Sequence, residues 1–238
     1  DSIKDPYKIH QINILGTINF LESIRKINPK IVFIYSSSDK AYGELNKRRF
    51  YKETDRLQSD YPYDVSKSAS DLVCQSYSKT FNLKIGIIRC GNIYGPGDFN
   101  LKRLIPEVII STIKNKRFII RSDGKSTRDY VYVDDVVNAY VLLMKKLLTS
   151  KSMLRIYNVS SKFNHSVKQI VNMILKNMKS FNLRPIVKNY SKKEINFQRL
   201  NYSKIDRELK WRPKTKIEEG IIETIRWYKK YHKFLKIK

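Results

Sequence analysis

Apolar residues recur every three or four positions in some stretches of the chain and form short continuous runs in others. The first pattern predicts amphipathic helices. They cover residues 7–27, 62–81, 104–114, 134–148, 167–178 and 217–231. A continuous apolar run over 31–35 predicts a strand buried on both faces. A second buried strand is predicted over 83–90, and a third strand over 155–161. Polar residues over 43–60 and the glycines and proline of 92–98 predict loops.

The order of these elements defines the fold class that we expect. Strands alternate with helices, and most of the predicted links between them are short. This alternation is typical of an α/β protein with a doubly wound, parallel sheet.

Composition narrows the class of protein. The chain has 238 residues, 41% of them hydrophobic, which is typical of a globular protein. No apolar run reaches 18 residues, so we expect no membrane partner. Cys74 and Cys90 lie far from each other and from the histidines, which predicts free thiols in a reducing, cytoplasmic compartment and no metal site.

The formal net charge of +26 raises the question of a nucleic-acid partner. The basic runs are short and scattered, and no motif interleaves them with aromatic residues. We therefore expect a solvated basic surface without a specific nucleic-acid site.

Polar residues with reactive side chains follow both buried strands. The first strand runs into "SSSDK", which ends at Lys40, and the second into "RCGNIYGPG", which contains Asn92. Tyr63 and Lys67 form Y-x-x-x-K on the helix between these strands, and residues four apart share a helix face. The carboxyl ends of parallel strands meet at one edge of the sheet, where ligands bind, so these groups are expected to lie together.

An ordered set of motifs resembles the extended short-chain dehydrogenase/reductases, in the NAD-dependent nucleotide-sugar epimerase/dehydratase family. The set comprises "INILGTINFLE", "SSDKAYG", "YDVSKSASDL", "RCGNIYGPGD", "LIPEVI", "RDYVYVDDVVNAY", "IYNVSS" and "SKIDRELKWRPKTKIEEGIIETIRWY". Asp39-Lys40 after the serines resembles the sugar 4,6-dehydratases. "DYVYVDD" and "IRSDG" are most similar to CDP-glucose 4,6-dehydratase, whereas the position of Lys40 is usually Glu in dTDP-glucose dehydratases.

The resemblance implies a Rossmann-like sheet and two regions. Residues 1–98 would form the C-terminal part of the dinucleotide-binding domain, with the catalytic residues. Residues 99–238 would form mainly a smaller, interleaved substrate-binding lobe, and the strand near 155–160 would return to the sheet. A homodimer is implied for the full-length protein.

The resemblance also implies catalytic roles. Tyr63 would remove the proton of the sugar 4-hydroxyl, and Lys67 would activate Tyr63. Asp39 would be the acid that protonates the departing 6-hydroxyl, and Lys40 the base or relay for the proton on carbon 5. Ser38 would bind the sugar. Elimination across adjacent carbons needs one proton taken and one given, which suits a neighbouring acid and amine.

The remaining roles concern the cofactor NAD and a nucleotide-diphosphate sugar. Ser36, Ser37, Tyr63, Lys67 and Cys90 would contact NAD. The residues that would contact the substrate are Asn92, Arg103 and Arg128, since arginine pairs well with phosphate.

The glycine-rich turn that binds a dinucleotide pyrophosphate is the missing feature. None of the eight glycines forms G-x-G-x-x-G or G-x-x-G-x-x-G, and the sequence opens in a predicted helix. We therefore expect an N-terminally truncated chain whose sheet lacks its first strands. Three hypotheses remain open: a 4,6-dehydratase, a nucleotide-sugar 4-epimerase or related enzyme, and an inactive remnant.

Overall fold

The computed structural model describes residues 2–44, 49–188 and 198–235. The helices are α1 (Pro6–His10), α2 (Gly16–Ile27), α3 (Pro62–Phe81), α4 (Leu104–Ile113), α5 (Val133–Thr149), α6 (Val167–Asn177), α7 (Ser203–Leu209) and α8 (Ile217–Tyr231). A π-helical turn, Gln11–Leu15, joins α1 to α2, and 3₁₀ turns cover Asp39–Tyr42 and His232–Leu235. The strands are β1 (Phe33–Ser38), β2 (Ile85–Cys90), β3 (Asn92–Tyr94), β4 (Ile119–Ile120), β5 (Thr127–Tyr132), β6 (Leu154–Val159), β7 (Asn164–Ser166) and β8 (Ile186–Val187).

The strands β1, β2 and β6 form a parallel sheet in that order. Its register aligns Ser38 with Cys90 and Cys90 with Val159, so the three carboxyl ends lie at one edge. One apolar cluster packs α2 and α3 on one side of this sheet, and another packs α5 and α7 around Ile88 and Val159. Helices on both sides of a parallel sheet make the fold doubly wound, which confirms the predicted class.

A second region packs α4, α6 and α8 around its own apolar cluster. Here β3 pairs with β5 in parallel and β5 with β7 in antiparallel orientation, while β4 pairs with β8. Because β3 begins two residues after β2 ends, the second region is joined directly to the edge of the central sheet where the reactive residues lie.

Some element boundaries differ from the predictions. The predicted loop 92–98 begins with β3, and β5 lies in a polar segment for which no strand was predicted. The strands β3 and β5 pair with each other, and pairing between segments distant in sequence depends on tertiary context more than on local propensity. The first strand also extends three residues beyond 31–35, since the serines at its end pair with β2.

Within the described ranges, no helix combines the length and the apolar character needed to cross a bilayer.

Candidate active site

A cavity of about 590 Å³ opens at the carboxyl ends of β1 and β2. Residues from the N-terminal parts of α3 and α4, from β3 and β5, and from the loop 98–103 before α4 complete its wall. The sequence-predicted residues that line it are Ser36, Ser37, Ser38, Lys40, Tyr63, Lys67, Cys90, Asn92 and Arg103. Asp39 lies in the chain between two lining residues, and Arg128 is not part of the wall. The fold therefore brings most of the predicted set to one cavity.

The 3₁₀ turn at the end of β1 positions the predicted acid. Ser38 begins this turn, and its hydroxyl accepts a hydrogen bond from the backbone N–H of Lys40 at 3.2 Å and donates one to Asp39 Oδ1 at 3.0 Å. Asp39 is 2% exposed, and its Oδ2 has no hydrogen-bond partner among the described residues. Burial raises the pKa of Asp39 against the opposing charge of Lys40, which favours the protonated form that an acid catalyst needs.

Tyr63 and Lys67 lie one turn apart on α3. Pro62 begins the helix, where its missing N–H has no intrahelical partner in any case. Burial raises the pKa of Tyr63, the charge of Asp39 raises it further, and the charge of Arg103 opposes both. Burial lowers the pKa of Lys67, whose ammonium donates to the Ser36 carbonyl at 2.8 Å. The phenol thus needs added positive charge before it can act as a base.

The predicted substrate contacts divide into two groups. Asn92 and Arg103 line the cavity, and Arg103 also forms an ion pair with Asp98 at 3.2 Å. Arg128 is 7% exposed; its Nη1 donates to the Thr127 carbonyl, and its charge lowers the pKa of Asp39. Arg128 therefore influences the predicted acid electrostatically, and its contact with a substrate phosphate stays a prediction.

Sequence reasoning missed two buried carboxyls near Asp39. Burial and the charge of Asp39 raise the pKa of Asp64 to about 6, while Lys40 opposes the shift. Burial likewise raises the pKa of Asp129 to about 6, although Ser161 donates to its Oδ1 from both N and Oγ, at 2.8 and 2.7 Å. A charged residue within an apolar strand, as in "RDYVY", is the sequence signal that could have found Asp129.

Comparisons with known proteins show what this chain is similar to. Residues 1–224 match the family described as GDP-mannose 4,6 dehydratase. A human relative named dTDP-D-glucose 4,6-dehydratase is 30% identical over 94% of this chain and 63% of its own length. A crystal structure of UDP-glucose 4-epimerase with UDP-glucose from Thermotoga maritima is 27% identical, with a TM-score of 0.87 over 97% of this chain and 74% of its own.

A second similar structure is dTDP-glucose 4,6-dehydratase from Bacillus anthracis in complex with NAD. It is 27% identical, with a TM-score of 0.84 over 95% of this chain and 71% of its own. The chain spans about three fifths of the length of the curated relatives it matches.

Proposed function

Because the chain belongs to the GDP-mannose 4,6 dehydratase family, we propose that the protein containing it is an NAD-dependent nucleotide-sugar 4,6-dehydratase. The observation that carries this proposal is Asp39, a buried carboxyl with a raised pKa, held between Ser38 and Lys40 beside the cavity that Tyr63 lines. Oxidation alone needs only a base near the reacting hydroxyl. An added acid suits the loss of water.

The residues present fit the reactive end of the cofactor. Hydroxyl, phenol and ammonium groups from Ser36, Ser37, Tyr63 and Lys67 line one cavity at the carboxyl ends of parallel strands, where dinucleotides bind. Cys90 closes the wall with a thiol whose pKa burial raises, so it stays uncharged. NAD+, when bound, would accept a hydride from carbon 4 of the sugar and, as NADH, would return it to carbon 6.

The side chains of this chain manage the protons. Tyr63 takes the proton of the 4-hydroxyl, and Lys67 stabilises the phenolate. The ketone at carbon 4 acidifies the proton on carbon 5, which Lys40 removes while Asp39 protonates the departing 6-hydroxyl. Once carbon 6 has received the hydride, the protonated Lys40 would return its proton to carbon 5, and the proton taken by Tyr63 would restore Asp39 through solvent. The products are then a 4-keto-6-deoxy sugar nucleotide and water, so protons and electrons balance.

The nucleotide that we propose is CDP. Support comes from "IRSDG" and "DYVYVDD" and from Lys40 at a position usually occupied by Glu in dTDP-glucose dehydratases. Asn92 and Arg103 would bind the diphosphate at the cavity wall. Turnover of CDP-, dTDP-, UDP- and GDP-hexoses by the full-length protein identifies the base, and a preference for another nucleotide would reject CDP.

The deciding experiment separates oxidation from elimination. In the full-length protein, Lys40→Met should still form NADH on adding the nucleotide sugar, without the 4-keto-6-deoxy product. Single-turnover absorbance at the NADH band, paired with product analysis, reads both steps. Lys30→Met, at an exposed position before β1, is the matched control and should behave as the parent. Product formed at the parent rate by Lys40→Met would remove this lysine from the chemistry.

The second candidate is a nucleotide-sugar 4-epimerase, favoured by the similarity to the Thermotoga maritima structure. An epimerase uses Tyr63 and Lys67 but needs neither Asp39 nor Lys40 as an acid–base pair. Inversion at carbon 4 without loss of the 6-hydroxyl would select this candidate. Absence of NADH and of either product from the parent protein would leave the inactive remnant.

The proposal includes a cytoplasmic homodimer. Exposed apolar side chains on the helical segments before β1 support a partner surface: Tyr7, Ile12, Leu15, Phe20 and Ile27. The exposed Leu72 and Phe81 add to it on α3. Sedimentation of the full-length protein tests the assembly, and a monomer at micromolar concentration would reject it.

A further inference from the structure

A buried ion pair lies behind the cavity wall at Ser37. Ser37 on β1 and Arg89 on β2 are partners in the sheet register, and both bond to Asp71 on α3. Arg89 Nε and Nη2 donate to the two carboxylate oxygens, each at 2.9 Å. The side chains of Arg89 and Asp71 are 2% and 0% exposed. This geometry is the bidentate pairing that fixes a carboxylate in one orientation.

Both members of the pair are held from other directions as well. Gln75 Nε2 donates to Asp71 Oδ1 at 2.8 Å, and Arg89 Nη1 donates to the hydroxyl of Tyr42 at 2.9 Å. The Tyr42 hydroxyl in turn donates to Asn158 Oδ1 at 2.8 Å. A carboxylate restrained in this way cannot turn toward the cavity. Asp71 can therefore affect a bound ligand only through the side chain that it contacts at the cavity wall.

That group is the hydroxyl of Ser37. Ser37 Oγ donates to Asp71 Oδ2 at 2.7 Å, and Ser37 also lines the cavity. A hydroxyl has one proton and two acceptor lone pairs. With its proton committed to Asp71, the Ser37 oxygen can only accept a further hydrogen bond.

We propose that Asp71 is a positioning residue that makes Ser37 an obligate hydrogen-bond acceptor at the cavity wall, so that the ligand group seated there is an N–H or O–H donor. The inference rests on the proposed function, which supplies two sources of such a donor. One is an amide or hydroxyl of the nicotinamide cofactor, and the other is a hydroxyl of the sugar. A phosphate oxygen is excluded from this position, because its lone pairs would face a lone pair of the Ser37 oxygen, with the Asp71 carboxylate behind that oxygen.

The first test removes the acceptor. Binding of NAD+ and, separately, of CDP-glucose to the full-length protein is measured by calorimetry for the parent and for Ser37→Ala. We expect the dissociation constant of one ligand to rise about fivefold to tenfold, the effect of losing one hydrogen bond, and that of the other to stay unchanged. The affected ligand identifies the source of the donor.

Ser70→Ala is the matched control. Like Asp71, Ser70 lies on α3, and it is fully buried. Its hydroxyl donates to the carbonyls of Ser66 and Asn13 at 2.8 and 2.9 Å, but Ser70 does not line the cavity. Its loss should leave both dissociation constants at the parent values. Equal weakening by Ser37→Ala and Ser70→Ala would overturn the proposal, since any lost buried hydroxyl would then have the same effect.

The second test inverts the polarity. An amide at position 71 can donate to Ser37 and release the serine proton toward the cavity, so Asp71→Asn should weaken the same ligand as Ser37→Ala. In the double variant Ser37→Ala/Asp71→Asn the loss should not exceed that of Ser37→Ala alone, because Asp71 acts on the ligand only through the hydroxyl. Additive losses, or equal losses for both ligands, would assign Asp71 a structural role only.

The outcomes separate this inference from the proposed function. If the parent binds neither NAD+ nor a nucleotide sugar, the proposed function fails. If the parent binds both and Ser37→Ala changes neither, the acceptor at Ser37 is wrong while the proposed function stands. Should Asp71→Asn not fold, the comparison of Ser37→Ala with Ser70→Ala still decides the outcome.

Discussion

Tyr63 and Lys67 show at the scale of single residues how burial opposes the chemistry proposed for them. Burial raises the pKa of Tyr63 and lowers that of Lys67, so both shifts favour the uncharged side chains. The positive charge of Arg103 opposes the rise in the pKa of Tyr63. Formation of the phenolate therefore depends on positive charge, and we expect both residues to be indispensable.

Tyr63→Phe in the full-length protein should reduce turnover by about 10²- to 10⁴-fold, because it removes a positioned proton acceptor. Binding of the nucleotide sugar should survive, since the ring remains. Lys67→Met should reduce turnover by a similar factor. Steady-state rates beside calorimetric titrations distinguish lost chemistry from lost binding. A parent rate in either variant would remove that residue from the mechanism.

Asp129 gives a prediction about pH. Its pKa is raised from 3.8 to about 6 in the folded protein, chiefly by burial, so folding favours the protonated carboxyl. The resulting stability is complete below about pH 4 and is lost as the pH rises through 6. Relative to Asp129→Asn, the parent should lose about 3 kcal/mol of unfolding free energy between pH 4 and 7.

Urea unfolding of both proteins at several pH values measures this difference. Asp134→Asn, at an exposed position at the start of α5, is the control and should follow the parent. An Asp129→Asn difference that does not change with pH would mean that the carboxyl is already ionised at pH 4.

At the scale of elements, the 3₁₀ turn Asp39–Tyr42 depends on the glycine that ends it. Gly43 has a φ of 69°, and a Cβ there would lie 1.7 Å from the backbone oxygen of Gln58. The loop thus approaches the turn too closely for any side chain. This contact, together with the bond from the Tyr51 hydroxyl to the Gly43 carbonyl at 2.6 Å, holds the turn that positions Asp39 and Lys40.

Gly43→Ala should lower the free energy of unfolding by about 3 kcal/mol or more, since backbone strain and a backbone clash add. Gly97→Ala isolates the strain: Gly97 has a φ of 80° and nothing within 4 Å of its Cβ position. Gly97→Ala should lower the free energy of unfolding by about 1 kcal/mol. Denaturant unfolding compares the two, and equal losses would show that the loop can move away from Gly43.

At the scale of the whole molecule, the charge balance makes a prediction independent of the site. The chain has 48 Lys and Arg against 22 Asp and Glu. Such an excess attracts polyanions without specificity, and salt screens the attraction. The protein should be retained by heparin at low salt and released as the salt rises, with equal affinity for DNA duplexes of unrelated sequence. A preference for one duplex in competition titrations would contradict the expected absence of a specific nucleic-acid site.

The residue pattern and the family resemblance were enough to predict the fold class and half of the residues that line the cavity. Helix α8 occupies the predicted residues because its apolar spacing is a local property. The bounds of α3 also agree with the prediction, from Pro62 at its start to Phe81 at its end. Polar residues at the ends of the strands, such as Lys40 and Asn92, were predicted to meet because parallel strands align their carboxyl ends.

The surroundings of these residues depend on the packing of the whole fold. Burial of Asp39 and Arg128 and the raised pKa values of Asp64 and Asp129 arise where distant segments exclude water together. The Asp71–Arg89 pair joins residues 18 positions apart through the packing of α3 on β2. Desolvation and pairing of this kind depend on distances in space, and the order of residues along the chain does not encode them locally.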